Sequence, residues 1–131
     1  MDFLFVYGTL MKHSDLEIAS FLHRYSTFFS SGYFNGILYN VSGYPGAVYL
    51  PDTASRVYGT ILKLHDPKKI LSQLDEYEEV GDQFPEPNEY VRLQIPIQTP
   101  SGNIACWVYL YNWPADNLSV IASGNYGANN S

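Results

Sequence analysis

The sequence predicts an α+β domain built around a curled sheet or barrel of β-strands. Three observations predict it. Several β-branched and aromatic runs recur along the chain, only two short stretches carry helical periodicity, and glycines interrupt the longest strand-like stretch. At 131 residues the chain makes one ordinary domain, taken as residues 1–131.

The elements follow in order. Residues 3–7 (Phe-Leu-Phe-Val-Tyr) are β-rich and stop at Gly8, which reads as a buried strand ending in a tight turn. Ser14 and Glu17 have the spacing of a capping box, and Leu16, Ile18, Ala19 and Leu22 continue at helical intervals, so a short helix is expected over 15–22. The stretch 26–50 is aromatic and β-branched with breaks at Gly32, Gly36, Gly43 and Pro45; it reads as strands with bends or bulges. Residues 56–64 form another strand.

Asp66 then supplies an N-cap and Pro67 a first-turn proline, opening a helix with the apolar stripe Ile70, Leu71, Leu74 and Tyr77. Gly81 is expected to end it. In 90–97, Val91, Leu93, Ile95 and Ile97 alternate with Tyr90, Arg92 and Gln94, as a half-buried strand does. A turn at 99–102 leads to a last strand over 104–111. The segment from about 115 is rich in Asn, Gly and Ser and reads as a loose tail.

Charge narrows the function classes. A net charge of −6 with only seven Lys and Arg argues against nucleic acid, and an acidic membrane surface would repel the chain. The expected partner is a small molecule or another protein. The apolar start 3–6 is too short and lacks the basic flank of a signal peptide, and no run reaches the ~20 apolar residues of a membrane helix. A cytoplasmic protein is expected. Cys106, the single cysteine, sits in an apolar run and reads as a buried, inert thiol.

Three groups of residues could carry chemistry. Glu78 follows Leu71 and Leu74 on one helical face, which sets a carboxyl group at the edge of the core stripe. Burial there would disfavour its charged form and suit it to proton transfer near neutrality. Seven of thirteen acidic residues lie between Asp75 and Glu89, with no Lys or Arg between Lys69 and Arg92. For Glu76, Glu79, Asp82, Glu86 and Glu89 a solvated helix end and loop is the preferred reading. For Glu78, function and a solvated end both fit the pattern.

The second group is Tyr7-Gly8-Thr9-Leu10, where backbone N–H groups after a strand can cradle an anion, although a plain turn explains it equally. The third is the set of twelve tyrosines, among them Tyr39, Tyr44, Tyr90, Tyr109 and Tyr111, which offer flat walls and hydrogen-bonding tips. His13, His23 and His65 lack metal-ligand spacing, and no nucleophile elbow or phosphate loop occurs, so neither a metal nor a cofactor is expected.

Taken together, several motifs resemble the gamma-glutamylcyclotransferase-like family (the avirulence-induced-gene-like domain). They are Phe5-Val6-Tyr7-Gly8-Thr9-Leu10, Gly43-Tyr44-Pro45-Gly46-Ala47, Val57-Tyr58-Gly59-Thr60-Ile61, Leu74-Asp75-Glu76-Tyr77-Glu78, Tyr90-Val91-Arg92 and Cys106-Trp107-Val108-Tyr109. The resemblance implies a compact mixed β-barrel with flanking short helices. It also implies cyclisation of a γ-glutamyl group to 5-oxoproline with release of an amine or amino acid, without a cofactor. The family's acid/base glutamate falls on Glu78 and its carboxylate-binding turn on Tyr7, Gly8, Thr9 and Leu10. Tyr44, Tyr90 and Arg92 also match the pattern and are counted with the substrate-binding set.

Two features depart from the family pattern. Glu79 stands where glycine is common, and the connection 80–89 is longer than usual. Two other readings accompany the enzyme: a non-catalytic domain that binds a small carboxylate or amino acid, and an interaction module using the acidic segment 75–89.

Overall fold

The computed structural model describes residues 2–8 and 16–126. Nine elements run in the order β1 (Phe3–Val6), α1 (Leu16–Arg24), β2 (Ser26–Asn40), β3 (Pro45–Tyr49), β4 (Arg56–Leu64), α2 (Pro67–Tyr77), β5 (Tyr90–Thr99), β6 (Gly102–Tyr111) and β7 (Ser119–Val120). Five strands close into a barrel: β2 pairs with β4, β4 with β1, β1 with β6, β6 with β5, and β5 returns to β2 through Tyr33 opposite Gln98. All of these pairings are antiparallel except β1 with β6. The curled-sheet expectation therefore resolves as closure, which leaves the barrel without an open edge.

Closure explains the glycines better than bending does. Gly32 and Gly59 face each other across β2 and β4. A Cβ on Gly32 would stand 2.8 Å from the Gln98 carbonyl oxygen, and one on Gly59 2.3 Å from that of Val6. The register shift in β2 lies instead between Phe28 and Ser30. β2 is long because it serves two sheets. Its first part builds the barrel, and its last five residues leave it to pair with β3 (Gly36 opposite Tyr49 through Asn40 opposite Pro45).

β1 is central and buried on both faces, with Leu4 and Phe5 both inaccessible. Phe5 meets Phe34 edge to face at 5.7 Å, and Val57, Ile61, Ile97, Cys106 and Val108 complete this part of the core. Cys106 is buried as expected, and burial pushes its thiol up to about 12. β5 pairs with β6 without a shift, yet burial does not follow the simple alternation. Ile95 and Ile97 are buried, Leu93 is 50% exposed, and Tyr90 on the other face is fully covered. The rest of the molecule covers Tyr90: its ring packs edge to face on Tyr111 and its hydroxyl reaches β3.

Where composition reads as a loose tail, the chain lays β7 against the end of β2, Tyr39 opposite Val120. Ile121 is buried and its N–H donates to the Leu38 carbonyl at 2.7 Å. Ser14, Asp15, Thr9 and Leu10, which carry the proposed helix cap and half of the anion turn, lie outside the described residues. No helix among the described residues is long and apolar enough to cross a membrane.

Candidate active site

α2 fixes the position of Glu78. Asp66 caps the helix, its carboxylate accepting from Lys69 N–H at 3.5 Å, and Pro67 occupies the first turn. Ile70, Leu71 and Leu74 are buried. Glu78 continues their face as the C-cap residue, its N–H donating to Leu74 O at 2.8 Å, and the whole residue is 0% exposed.

The helix ends at Tyr77, four residues before the expected Gly81. Glu79 N–H donates to Glu76 O (3.2 Å) and Val80 N–H to Asp75 O (2.8 Å), the paired bonds of a Schellman end. That geometry needs a left-handed residue, and Glu79 supplies it at φ 59°. The departure at Glu79 thus falls on the position where glycine is cheapest. Gly81 instead opens the following loop, where the Asn88 side chain accepts from its N–H (2.9 Å) and donates to its carbonyl (3.3 Å).

Four phenols lie within electrostatic reach of Glu78. Burial is the first cause that lifts Tyr7, Tyr44, Tyr90 and Tyr109 above the ordinary phenol range, and the Glu78 charge adds to each. All four therefore stay protonated and act as donors. Tyr7 donates to Tyr109 O at 2.6 Å while accepting from Ala47 N–H at 3.2 Å. Tyr90 donates to Pro45 O at 2.6 Å. Tyr109 donates to Asp75 Oδ1 at 2.7 Å, and Tyr44 to Glu89 Oε2 at 2.5 Å. These bonds tie β1, β3, β5, β6 and α2 together around one carboxyl group.

Gly8 completes this end of the barrel. A Cβ there would stand 2.6 Å from Cγ of Pro45, so glycine is what lets Pro45 pack against this position, while Cδ2 of Tyr126 would lie at ordinary contact distance, 3.7 Å. Of the residues singled out in the sequence, Tyr7, Gly8, Tyr44, Tyr90 and Glu78 are brought together through Pro45 and these phenols. Arg92 is engaged elsewhere. Its Nε and Nη2 donate to Asp75 at 2.7 and 2.9 Å, and its guanidinium lies 4.4 Å from the Trp107 ring centroid. The hydrogen bond to Asp75 is the main cause that raises its pKa.

Three residues take parts that their sequence context does not show. Glu89 does not belong to a solvated loop; it is 7% exposed and bonded to Tyr44. The loop 80–88 is gathered by Asn88 and closed by Asn112, whose N–H donates to Glu89 O at 2.7 Å, so the chain turns Glu89 inward just before β5. Asp75, three residues before Glu78, pairs with Arg92, the first cation after the acidic run. Tyr126 comes from the segment that composition marks as a tail. Among the described residues no group of three His, Cys, Asp or Glu side chains could hold a metal ion.

Comparison with known proteins agrees with this architecture. The family model described as "Gamma-glutamyl cyclotransferase, AIG2-like" matches residues 4–128. The gamma-glutamylcyclotransferase family protein ytfP of Citrobacter rodentium is 32% identical over 127 residues, covering 94% of this chain and 93% of that protein. The solution structure of ytfP from Escherichia coli superposes with a TM-score of 0.67 at 28% identity, covering 98% and 99% of the two chains. The crystal structure of YkqA from Bacillus subtilis matches with a TM-score of 0.71 at 23% identity. That match covers 97% of this chain but only 40% of YkqA, and it speaks for the fold alone.

Proposed function

The chain belongs to the gamma-glutamyl cyclotransferase, AIG2-like family, and from that premise we propose that it cyclises a γ-glutamyl amine or peptide to 5-oxoproline with release of the free amine. The observation that carries this reading is the fully buried Glu78 carboxyl, set by a helix end among four protonated phenols. A carboxyl group in a core costs more to bury than the apolar side chain that could fill the same space, so its place there is better explained by a function than by packing.

The chemistry needs little more. The substrate brings its own nucleophile, the α-amine, and its own electrophile, the γ-carbonyl carbon. In the proposal, Glu78 accepts a proton from the α-ammonium, and the freed amine attacks the γ-carbon. The bond from that carbon to the leaving nitrogen then breaks as Glu78 returns the proton to it, and the second proton that the α-nitrogen sheds as the lactam forms leaves with the released amine as its ammonium. One C–N bond forms, one breaks, and no water is consumed. Orienting the pair can supply about 7–11 kcal/mol of the barrier, and one positioned acid/base about 10²–10⁴-fold in rate.

Backbone N–H groups of the turn at Gly8, Thr9 and Leu10 are proposed to hold the α-carboxylate. Tyr44 and Tyr90 are assigned to the wall. Tyr7 and Tyr90 spend their hydroxyls on carbonyls, so their rings rather than their donors would face a ligand. Arg92, paired with Asp75, is assigned to bracing the helix that carries Glu78. The lone thiol suits a reducing compartment, and the reaction is placed in the cytoplasm.

The test is to incubate the purified protein with a panel of γ-glutamyl peptides and amines and to measure 5-oxoproline. Catalytic release from at least one member is expected. Measurable binding of a panel member without any 5-oxoproline would replace the enzyme with a carboxylate- or amino-acid-binding domain on the same fold.

A further inference from the structure

The proposed cyclisation moves two protons off the α-nitrogen, and Glu78 holds only one at a time. Among the described residues, Glu89 is the other buried charged side chain, 7% exposed. It stands directly before β5, where Tyr90 pairs with Tyr111, and its carbonyl accepts from Asn112 N–H at 2.7 Å. The hairpin between β2 and β3 is fastened here by two crossed bonds. The Tyr44 hydroxyl donates to Glu89 Oε2 at 2.5 Å, and the Tyr90 hydroxyl donates to Pro45 O at 2.6 Å. The charges of Glu78 and Glu89 both bear on Tyr44 and on Tyr90, so the two carboxyl groups share one neighbourhood.

The crossed bonds differ in their acceptors. A main-chain carbonyl suffices to hold Tyr90, as another holds Tyr7. An amide side chain at position 89 would hold the Tyr44 hydroxyl in the same way and cost less to bury than a carboxylate. What the carboxylate adds is the capacity to take a proton. Tyr109 also donates to a carboxylate, Asp75, but Arg92 holds both of its oxygens. Of the four phenols around Glu78, Tyr44 is thus the one whose hydroxyl leads to a second acid/base group at the site. Tyr44 is also only half-buried, whereas Tyr7, Tyr90 and Tyr109 are covered.

We infer that Tyr44 and Glu89 form a relay for the second proton of the cyclisation, with Tyr44 facing the substrate and Glu89 behind it. The inference rests on the proposed cyclotransferase reading and gives Tyr44 a part beyond the wall. Glu78 takes the first proton from the α-ammonium, and the amine attacks the γ-carbon. The α-nitrogen, now bonded to that carbon, gives its second proton to the Tyr44 oxygen as Tyr44 passes its own to Glu89. The phenol is protonated before and after, in keeping with the burial and the neighbouring carboxyl groups that disfavour a phenolate there. As the old C–N bond breaks, the leaving nitrogen takes one proton from Glu78 and the other from Glu89 through Tyr44. The amine departs as its ammonium, and both carboxylates are restored.

The experiment measures kcat and KM for 5-oxoproline release from the γ-glutamyl compound of the panel that wild type turns over fastest. Glu89→Gln keeps an acceptor for the Tyr44 hydroxyl but takes no proton. It should lower kcat by about 10–10²-fold and leave KM within about threefold. Tyr44→Phe removes the other half of the relay and should lower kcat to a similar level. The double variant should be no slower than the slower single one, because both changes break the same path. Circular dichroism checks each fold, and Tyr44→Phe carries the test alone should Glu89→Gln not fold. A wild-type kcat in either folded variant overturns the relay. A rise confined to KM in Glu89→Gln overturns it too, leaving Glu89 as a mere seat for the wall. So does a double variant whose loss is the product of the two single losses. Silence of wild type on the whole panel overturns the cyclotransferase reading and the relay with it, a result distinct from all of these.

Discussion

At the scale of single residues, the site depends on Glu78 and on the helix end that aims it. The stripe Ile70, Leu71, Leu74 and Glu78 was legible in the sequence because helical spacing alone puts the four on one face. Glu89 was not legible. Its neighbours in sequence are polar, and only the hydrogen bond from Tyr44, 45 positions away, turns it inward. Glu79 yields a prediction. A non-glycine residue in the left-handed region costs roughly 1 kcal/mol, which an interaction of an exposed side chain offsets only in part. Glu79→Gly should therefore raise stability by about 0.5–1 kcal/mol, or a few degrees in Tm. Thermal unfolding of the two proteins checks this, and an unchanged or lower Tm would remove the strain assigned to Glu79.

At the scale of elements, α2 is held to the barrel by a network that local sequence does not show. Asp75 meets Arg92 through two hydrogen bonds and Tyr109 through a third, and both side chains of the ion pair are about one-fifth exposed. Replacing Arg92 with Met leaves a half-buried carboxylate against Tyr109. That change should cost about 1–3 kcal/mol, more than a surface pair and less than a fully buried one. A double-mutant cycle of Asp75→Asn with Arg92→Met should return a coupling above about 1 kcal/mol. A coupling near zero would mean that the pair is ornamental and α2 is held by its apolar face alone. The strands over 56–64 and 104–111 were readable from composition. The ends of α2 and β2 were not, because a Schellman turn at Glu79 and a change of sheet within β2 are set by tertiary pairing.

At the scale of the whole molecule, the sequence pointed to many strands and two helices, and closure of the barrel added what periodicity cannot carry. Pairing of Tyr33 with Gln98 joins positions 65 residues apart. Closure also buries the phenols, and this gives a pH dependence. Burial, the leading cause, raises the folded-state pKa values of Tyr7, Tyr90 and Tyr109 above those of the unfolded chain. The unfolded state therefore releases phenol protons first, near pH ~10, and from there upward it binds fewer protons than the native state. Stability from these groups is complete below that pH and falls above it, by at most about 1.4 kcal/mol per pH unit for each phenol. Denaturant midpoints should hold steady towards pH ~10 and then drop steeply, with phenolate absorbance appearing together with unfolding. Ionisation of all the tyrosines at the ordinary pH in the folded protein would contradict the buried, hydrogen-bonded phenols.

The central claim is that Glu78 moves the proton in γ-glutamyl cyclisation, and the most direct measurement compares wild type with Glu78→Gln on the best substrate of the panel. Circular dichroism establishes that the variant folds, and calorimetry follows substrate binding. The account predicts that 5-oxoproline release falls by about 10²–10⁴-fold while binding persists. Undiminished release by a folded Glu78→Gln protein would contradict it.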